Sequence, residues 1–258
     1  MKIRMRFIKR GPIQYIGHLD LMRYFQKVFR RCGLDVTYSQ GFNPHQILSF
    51  ASPLGVGLTS IGEYLDATIN SLCVINEEEK TELTPDEWIN RINEHSNDMV
   101  ILTSFNILSD DAKPSMSLLQ GATYAVSFND TNTDDIAGYF KKNKQIIYTK
   151  MTKKSTKEIN LKDGIYIVSS DKNEFYDKLN QIACTDSEYE LNNIELVTDT
   201  NKKDILYIFC AAGSSLNIKP EMLIDAYCND TNIQYDDYDV IRLDMYTQNE
   251  KEFISMSL

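Results

Sequence analysis

The chain opens with two distinct patterns of apolar and polar residues. Residues 2–8 alternate, with apolar side chains on one face and basic ones on the other, which predicts a half-buried strand. Residues 18–32 place apolar side chains at helical spacing and basic side chains on the opposite arc. Gly33 follows as a helix stop, so the pattern predicts a helix over residues 18–32.

The rest of the first 108 residues continues as strands and one further helix. A second helix begins at Thr84 and Pro85, which are typical of a helix start, and extends to about residue 95. The element order β-α-β-β-α-β over residues 1–108 is that of a ferredoxin-like fold in the α+β class. Further strands are predicted over residues 35–40, 46–52, 63–69 and 99–108.

A second α+β sandwich is predicted for the remainder of the chain. Residues 109–120 contain Pro114 and several serines and are predicted to be a linker. Residues 121–258 again alternate between strand and helix patterns, so a diverged duplicate of the first domain is one interpretation. Strands are predicted over 122–128, 145–151, 159–169, 194–199, 204–212 and 240–246, and helical or irregular segments over 134–142, 173–186 and 220–228.

The charge distribution changes this picture more than the composition does. The 258-residue chain has a formal net charge of -10, which taken alone disfavours a polyanionic partner. Residues 1–60 nevertheless carry nine Lys or Arg and two acidic residues, and residues 141–157 carry seven Lys and no acid. The two basic segments each have a balance of +7, and the rest of the chain carries -24. We therefore expect the function to lie in the basic segments.

Several classes of protein are disfavoured by missing motifs. No run of about 18 apolar residues predicts a membrane helix, and no signal-peptide pattern opens the chain, so a cytoplasmic protein is expected. The five cysteines form neither a C-x-x-C pair nor an iron–sulfur motif, and no phosphate-binding or dinucleotide fingerprint occurs. We therefore predict no metal and no cofactor, and a binding protein is favoured over an enzyme.

The basic side chains are the candidates for contacts with RNA phosphates. Two surfaces are predicted, one on the first strand and one on the outer face of the first helix, while Lys153 to Lys157 form a hairpin in the second half. Tyr38 and Tyr64 are candidate surfaces for base stacking. The alternative is an ordinary solvated, charged surface. The candidate phosphate-binding residues are Arg4, Arg6, Arg23, Lys27, Arg30, Lys153, Lys154 and Lys157.

A loop and two histidines are the other candidates for function. The segment Gly41-Phe42-Asn43-Pro44-His45 predicts a loop, because Gly accepts a positive φ and Asn-Pro starts turns. Such a loop is either a specific binding contact or a structural bulge. His18 and His45 are candidates for an acid–base pair in RNA cleavage without a metal. Capping of the first helix is the alternative for His18.

These residues resemble the signatures of a bacterial family, the radical SAM-linked proteins that carry the domain label DUF2344. Residues 11–23 resemble its opening motif, in which Gly17 here replaces a usual Ser. Residues 38–55 resemble its second signature and residues 63–66 its third. Residues 150–161 and Lys219-Pro220 are similar to weaker features, with Asn160 at the place of a frequent Asp. The motif residues outside the loop are Asp20, Ser49, Glu63 and Asp66.

The resemblance implies a role beside another protein. Members of this family are fused to, or encoded beside, a B12-type radical SAM protein, so a radical SAM protein is the implied partner. We hypothesise an accessory protein that binds an RNA or ribonucleoprotein substrate and presents it to that enzyme. The alternatives are a ribonuclease that needs no metal and uses His18 and His45, and a protein–protein adaptor that binds no RNA.

Overall fold

The computed structural model describes residues 1–75, 81–151, 156–198, 202, 204–235 and 237–258. The chain folds into two compact units, residues 1–118 and residues 119–256, and the division falls within the segment predicted as a linker. Helices and strands alternate in both units, which confirms the α+β class. The finer ferredoxin-like assignment stays a prediction. Within the described ranges, no helix combines the length and apolarity needed to cross a membrane.

The first unit is an antiparallel sheet with two helices packed on one face. Strand β4 (Thr59–Val74) lies between β1 (Lys2–Lys9) and two short strands, β2 (Leu34–Val36) and β3 (Leu48–Phe50). Strand β5 (Val100–Leu108) pairs with the other edge of β1. Phe7 of β1 contacts Phe25 of α1 with ring centroids 4.8 Å apart, in the core of the unit. The elements are β1 (Lys2–Lys9), a 3-10 helix (Gly11–Tyr15), α1 (His18–Cys32), β2 (Leu34–Val36), β3 (Leu48–Phe50), β4 (Thr59–Val74), α2 (Pro85–Glu94), β5 (Val100–Leu108) and α3 (Ser115–Leu118).

Local signals placed both long helices of this unit correctly. Helix α1 spans the predicted residues and ends at Gly33, whose φ of 77° is left-handed and suits glycine. Helix α2 starts after Thr84, which forms a capping box with Glu87. The Thr84 amide donates to the Glu87 carboxylate, and the Glu87 amide donates to the Thr84 hydroxyl. Residues within a single four-residue segment therefore satisfy two amides at the helix start.

The prediction of a half-buried first strand is wrong, because β1 is buried from Ile3 to Lys9. The helices cover the face of Phe7, and the segment 109–118 crosses the face of Arg4. Lys2 Nζ donates to the Ala112 carbonyl at 2.8 Å, and the Ser115 amide donates to Asp66 at 2.6 Å. The segment predicted as a linker thus covers part of the second face of the sheet.

The second unit repeats the strand order of the first. Four of its strands, β12 (Tyr238–Gln248), β6 (Gly121–Phe128), β11 (Asp204–Ala211) and β9 (Ile165–Ser169), lie in that order with antiparallel neighbours. Four strands of the first unit run β5-β1-β4-β2, so in each unit the first strand lies between the last and the third of these four. The origin of the chain by duplication stays a prediction. The elements are β6 (Gly121–Phe128), α4 (Thr133–Lys142), β7 (Ile147–Met151), β8 (Thr156–Asn160), β9 (Ile165–Ser169), α5 (Lys172–Ile182), β10 (Ala183–Cys184), α6 (Ser187–Asn193), β11 (Asp204–Ala211), α7 (Pro220–Thr231), β12 (Tyr238–Gln248) and β13 (Phe253–Ser255).

Two strand predictions in this unit are wrong. Residues 159–169 are not one strand, because a 3-10 turn over Leu161–Asp163 separates β8 from β9. Residues 194–198 are not extended either, since a 3-10 helix over Ile194–Leu196 continues from α6. In the first case the side chain of Asn160 causes the break: its Oδ1 accepts from the amides of Ile146 and Lys162 at 3.0 and 3.3 Å.

The cysteines give a direct check of the packing. All five are free thiols; Cys32 and Cys210 are buried and Cys184 is exposed. Burial raises the pKa of the Cys32 thiol to about 11 and also raises that of Cys210. We expect a thiol reagent at pH 8 to modify Cys184 in the native protein and the two buried thiols only after denaturant is added, as read by peptide mass spectrometry. Native modification of Cys32 at the rate of Cys184 would contradict this packing.

Candidate nucleic-acid interface

Helix α1 presents a row of basic side chains to solvent. Its apolar arc, with Leu21, Phe25 and Phe29, is buried in the core of the first unit, so the opposite arc faces outward. Residues three, four and seven positions apart lie on one side of a helix, which aligns these cations. We call this row the α1 basic stripe; it consists of Arg23, Lys27, Arg30 and Arg31, all of them exposed.

The four side chains of the stripe differ in whether they already form hydrogen bonds or ion pairs within the protein. Arg31 donates from Nη2 to the His95 carbonyl at 2.7 Å, and Arg30 donates from Nε to the Gln26 carbonyl at 3.2 Å. Arg23 pairs with Asp20 at 3.1 Å, but both side chains are more than 60% exposed, so water weakens that pair. Arg23 and Lys27 are therefore the best placed to contact a phosphate.

A shallow groove lies beside the N-terminal half of the stripe. It has a volume of about 600 Å³, and Arg23, Lys27 and Asp20 form part of its rim. Ile13, Ile16 and Met99 give it an apolar floor. The groove therefore brings five residues of the opening signature together with Lys27 at one surface: Pro12, Ile13, Ile16, Asp20 and Arg23. A groove with an apolar floor and a cationic rim suits a ligand that is flat and anionic.

The predicted strand surface of basic residues is not available to a ligand. Arg6 is 1% exposed, and its guanidinium lies 5.9 Å from the centre of the Tyr64 ring, which is also buried. Arg4 is 8% exposed and pairs with Asp66. The expectation that Arg4, Arg6 and Tyr64 lie on an exposed sheet face is therefore wrong, because all three are buried. Residues 109–118 contact Arg4 and its partner Asp66.

The loop over residues 41–45 is the tip of a hairpin that interrupts one edge strand. Strands β2 and β3 both pair with β4, and the chain leaves the sheet between them. Thr37 donates its amide to the Thr68 carbonyl at 2.8 Å, and Thr68 donates its own to the Ile47 carbonyl at 3.2 Å, so both ends of the excursion are attached to one residue of β4. We call residues 37–47 the signature hairpin.

The histidines lie in separate environments. His18, at the start of α1, contacts the ring of Phe50 edge-on at 5.2 Å. His45 belongs to the signature hairpin, where its Nδ1 lies 2.9 Å from Ser39 Oγ. No hydrogen bond joins the two rings in the described part of the chain. Their acid–base pairing stays a prediction; His45 is exposed, and its Nδ1 is engaged within the hairpin.

The remaining motif residues lie on β3 and β4. Ser49 is directly opposite Asp66 in the strand pairing, and Glu63 is opposite Phe7 of β1. Glu63 is 1% exposed, and Asp66 holds Arg4 in a buried ion pair. The second and third signatures thus include residues that shape the sheet as well as the signature hairpin.

The second basic segment is only partly described. Lys153 and Lys154 lie outside the described residues. Lys157 is exposed on β8 and is directly opposite Lys150 on β7. Two like charges in a cross-strand pair repel each other, so this ribbon is a favourable place for an anion to bind. Among the described residues, no group of three or more His, Cys, Asp or Glu is arranged to hold a metal ion.

Gln46 was missed by the sequence reasoning. It is 5% exposed at the base of the signature hairpin, opposite Tyr38, and its Oε1 has no hydrogen-bond partner in the described residues. A buried acceptor without a donor is destabilising.

We expect Gln46→Met to raise the free energy of unfolding by about 1 kcal/mol and the Tm by about 3 °C. Calorimetry checks this against exposed Gln40→Met, for which no shift is expected; a fall in Tm for Gln46→Met would contradict it.

Together these features define an α+β protein of two units, with a cationic helix and a projecting hairpin on the first. Residues 2–206 match the model of the DUF2344 family, described as an uncharacterized protein conserved in bacteria, and the chain belongs to this family. The match covers the whole of the first unit's sheet and extends to β11 in the second. A comparison with curated proteins found no match.

Proposed function

We propose that the protein is a cytoplasmic accessory protein to a radical SAM enzyme, and that it binds an RNA or ribonucleoprotein substrate for that enzyme. RNA phosphates are contacted by the α1 basic stripe, above all by Arg23 and Lys27. The signature hairpin supplies a second, more specific contact through Phe42, Asn43 and His45. The protein carries no chemistry of its own in this scheme.

The observation that carries the RNA-binding proposal is the exposure of the α1 basic stripe on an acidic chain. A net charge of -10 repels a polyanion from most of the surface. Four exposed cations on one helix then form a local site where the sign is reversed. Phosphate contacts of this kind supply most of the affinity for nucleic acid and depend on salt.

The radical SAM partner is proposed from the family resemblance described above. The chain has no C-x-x-x-C-x-x-C motif, so it does not itself carry the cysteine ligands of the radical SAM cluster. An enzyme of that class acts on its substrate at a cluster and a cofactor held by its own chain. A companion that captures the substrate therefore complements it.

Affinity purification from the native cell, with and without nuclease, tests both parts together. We expect the radical SAM enzyme and RNA to be recovered with the protein, and nuclease to remove the RNA. Recovery of the enzyme with no RNA in either sample would favour the adaptor alternative. Recovery of neither would contradict the proposed function.

A further inference from the structure

We infer that the ring of Phe42 stacks on an unpaired nucleobase, and that the ligand of the signature hairpin is therefore single-stranded RNA. This inference rests on the proposed function and names its substrate class. Phe42 is fully exposed, whereas most large apolar side chains of the first unit are buried in its core. An aromatic ring held in water costs free energy that stacking on a ligand recovers.

Hydrogen bonds hold the backbone of the signature hairpin on either side of its tip. The Ser39 amide donates to the His45 carbonyl at 2.8 Å, and the His45 amide donates to Ser39 Oγ at 3.1 Å. A third contact joins Nδ1 of the His45 ring to the Ser39 hydroxyl. Between them, Gly41 adopts a φ of 119°, which only glycine accepts readily. The backbone is thus held at Ser39 and His45, on either side of Phe42, which reduces the backbone entropy that is lost when a ligand binds.

The residues around Phe42 favour a nucleobase over an apolar pocket of a protein. Residues 38–47 carry no Lys, Arg, Asp or Glu, and the neighbours of Phe42 are Gly41 and Asn43. Gln40 and Asn43 are exposed and carry amide groups that donate and accept, as the edges of bases do. Phe42 and the partly exposed Tyr38 are the exposed Phe and Tyr rings of the hairpin, and exposed rings with polar neighbours can each cover one face of a base.

The cations of the α1 basic stripe and the need for an accessible base face both favour single-stranded RNA. The α1 basic stripe belongs to the same unit as the hairpin, and its exposed cations are available to the phosphates of a bound strand. In a duplex the faces of the bases are covered by their neighbours, so a ring can reach them only in single strands, loops or bulges. The hairpin and the stripe together therefore select unpaired RNA.

Fluorescence of the Phe42→Trp variant tests this contact in the full-length protein. The natural tryptophan, Trp88, is buried and donates from Nε1 to the Leu72 carbonyl at 3.1 Å, so its signal serves as a constant background. The variant is titrated at low salt with single-stranded oligouridylate and with an RNA duplex of equal length. We expect quenching of the new tryptophan by the single strand and none by the duplex.

Two truncations measure how much the ring contributes. Phe42→Ala and Phe42→Leu are both expected to weaken single-strand binding about tenfold or more, since the leucine keeps apolar area but has no π face. Their affinity for the duplex should stay within twofold of the natural protein. Because Phe42 is fully exposed, their thermal unfolding should match that of the natural protein, which separates a lost contact from a lost fold.

The outcomes distinguish this inference from the proposed function. If the natural protein binds the single strand but both truncations bind equally well and the new tryptophan is not quenched, the stacking inference fails and RNA binding stands. If the truncations abolish capture of the radical SAM enzyme in nuclease-treated samples, the ring contacts protein and the inference fails. If the natural protein binds no RNA at low salt, the proposed function itself fails.

Discussion

Replacing Asp66 with Asn is expected to lower the free energy of unfolding by about 3 kcal/mol or more and the Tm by about 10 °C. Asp66 Oδ1 lies 2.8 Å from Arg4 Nε and Oδ2 lies 3.3 Å from Arg4 Nη2, a bidentate pair. The two side chains are only 10% and 14% exposed. The substitution leaves the Arg4 charge buried without its counterion and weakens the bond from the Ser115 amide. Calorimetry of the two proteins measures the effect.

Asp20→Asn is the matched control, because it makes the same chemical change in an exposed ion pair. The Asp20 and Arg23 side chains are 62% and 69% exposed, so their pair should contribute no more than about 0.5 kcal/mol. Equal Tm changes for the two variants would show that the Arg4–Asp66 pair does not fasten residues 109–118 to the sheet. If the Asp66→Asn protein keeps its Tm but protease cleaves its residues 109–118 rapidly, the ion pair holds this segment on the sheet without stabilising the whole unit.

Reversing the charges of Arg23 and Lys27 is expected to weaken RNA binding about 100-fold or more. The double variant is Arg23→Glu with Lys27→Glu. Each substitution removes a charged contact worth about tenfold in affinity, and the new carboxylates also repel the phosphates. Both side chains are exposed and outside the core, so the fold should be unaffected. Fluorescence anisotropy with labelled single-stranded RNA measures the loss.

The control for this experiment moves the same charge to another surface. Lys172 and Lys251 are exposed residues of the second unit, and Lys172→Glu with Lys251→Glu changes the net charge by the same amount. We expect its affinity for RNA to stay within about threefold of that of the natural protein. A similar loss in both double variants would mean that net charge, and not the α1 basic stripe, governs binding.

The features that sequence predicts best are those that depend on a few adjacent residues. Helix α1 is set by its apolar spacing and by Gly33, and α2 by the Thr84–Glu87 capping box. The break after Asn160 also depends on local bonds, but the apolar residues around it are equally typical of a continuous strand. Periodicity therefore identifies elements more reliably than it identifies where they stop.

The burial of Arg4 and Arg6 could not be read from their own strand. Alternation shows that a strand has two chemically different faces, but a polar face can be covered by a distant segment with matching groups. Here Asp66 and the carbonyl of Lys113, 62 and 109 residues away from Arg4, make that match. The α1 basic stripe was easier to predict, because helical spacing and the core-facing arc of the same helix determine its direction.

The signature hairpin could be predicted in part from its sequence. Gly41, Asn43 and Pro44 predicted a loop, and the structure places them at the hairpin tip. The attachment of both hairpin ends to Thr68 depends on pairing across the sheet, so the sequence alone did not indicate that Phe42 projects into solvent. Nothing in the sequence indicates that Gln46, at the base of the hairpin, is buried with an acceptor that lacks a donor among the described residues.

The salt dependence of RNA binding tests the central proposal most directly. The logarithm of the binding constant is plotted against the logarithm of the salt concentration for the natural protein, for Arg23→Gln with Lys27→Gln, and for the control Lys172→Gln with Lys251→Gln. Each lost phosphate contact on a single strand flattens the slope by about 0.7. The proposal predicts a slope flatter by about 1.4 for the stripe variant alone. Equal slopes for all three proteins, or no binding of RNA by the natural protein at low salt, would contradict it.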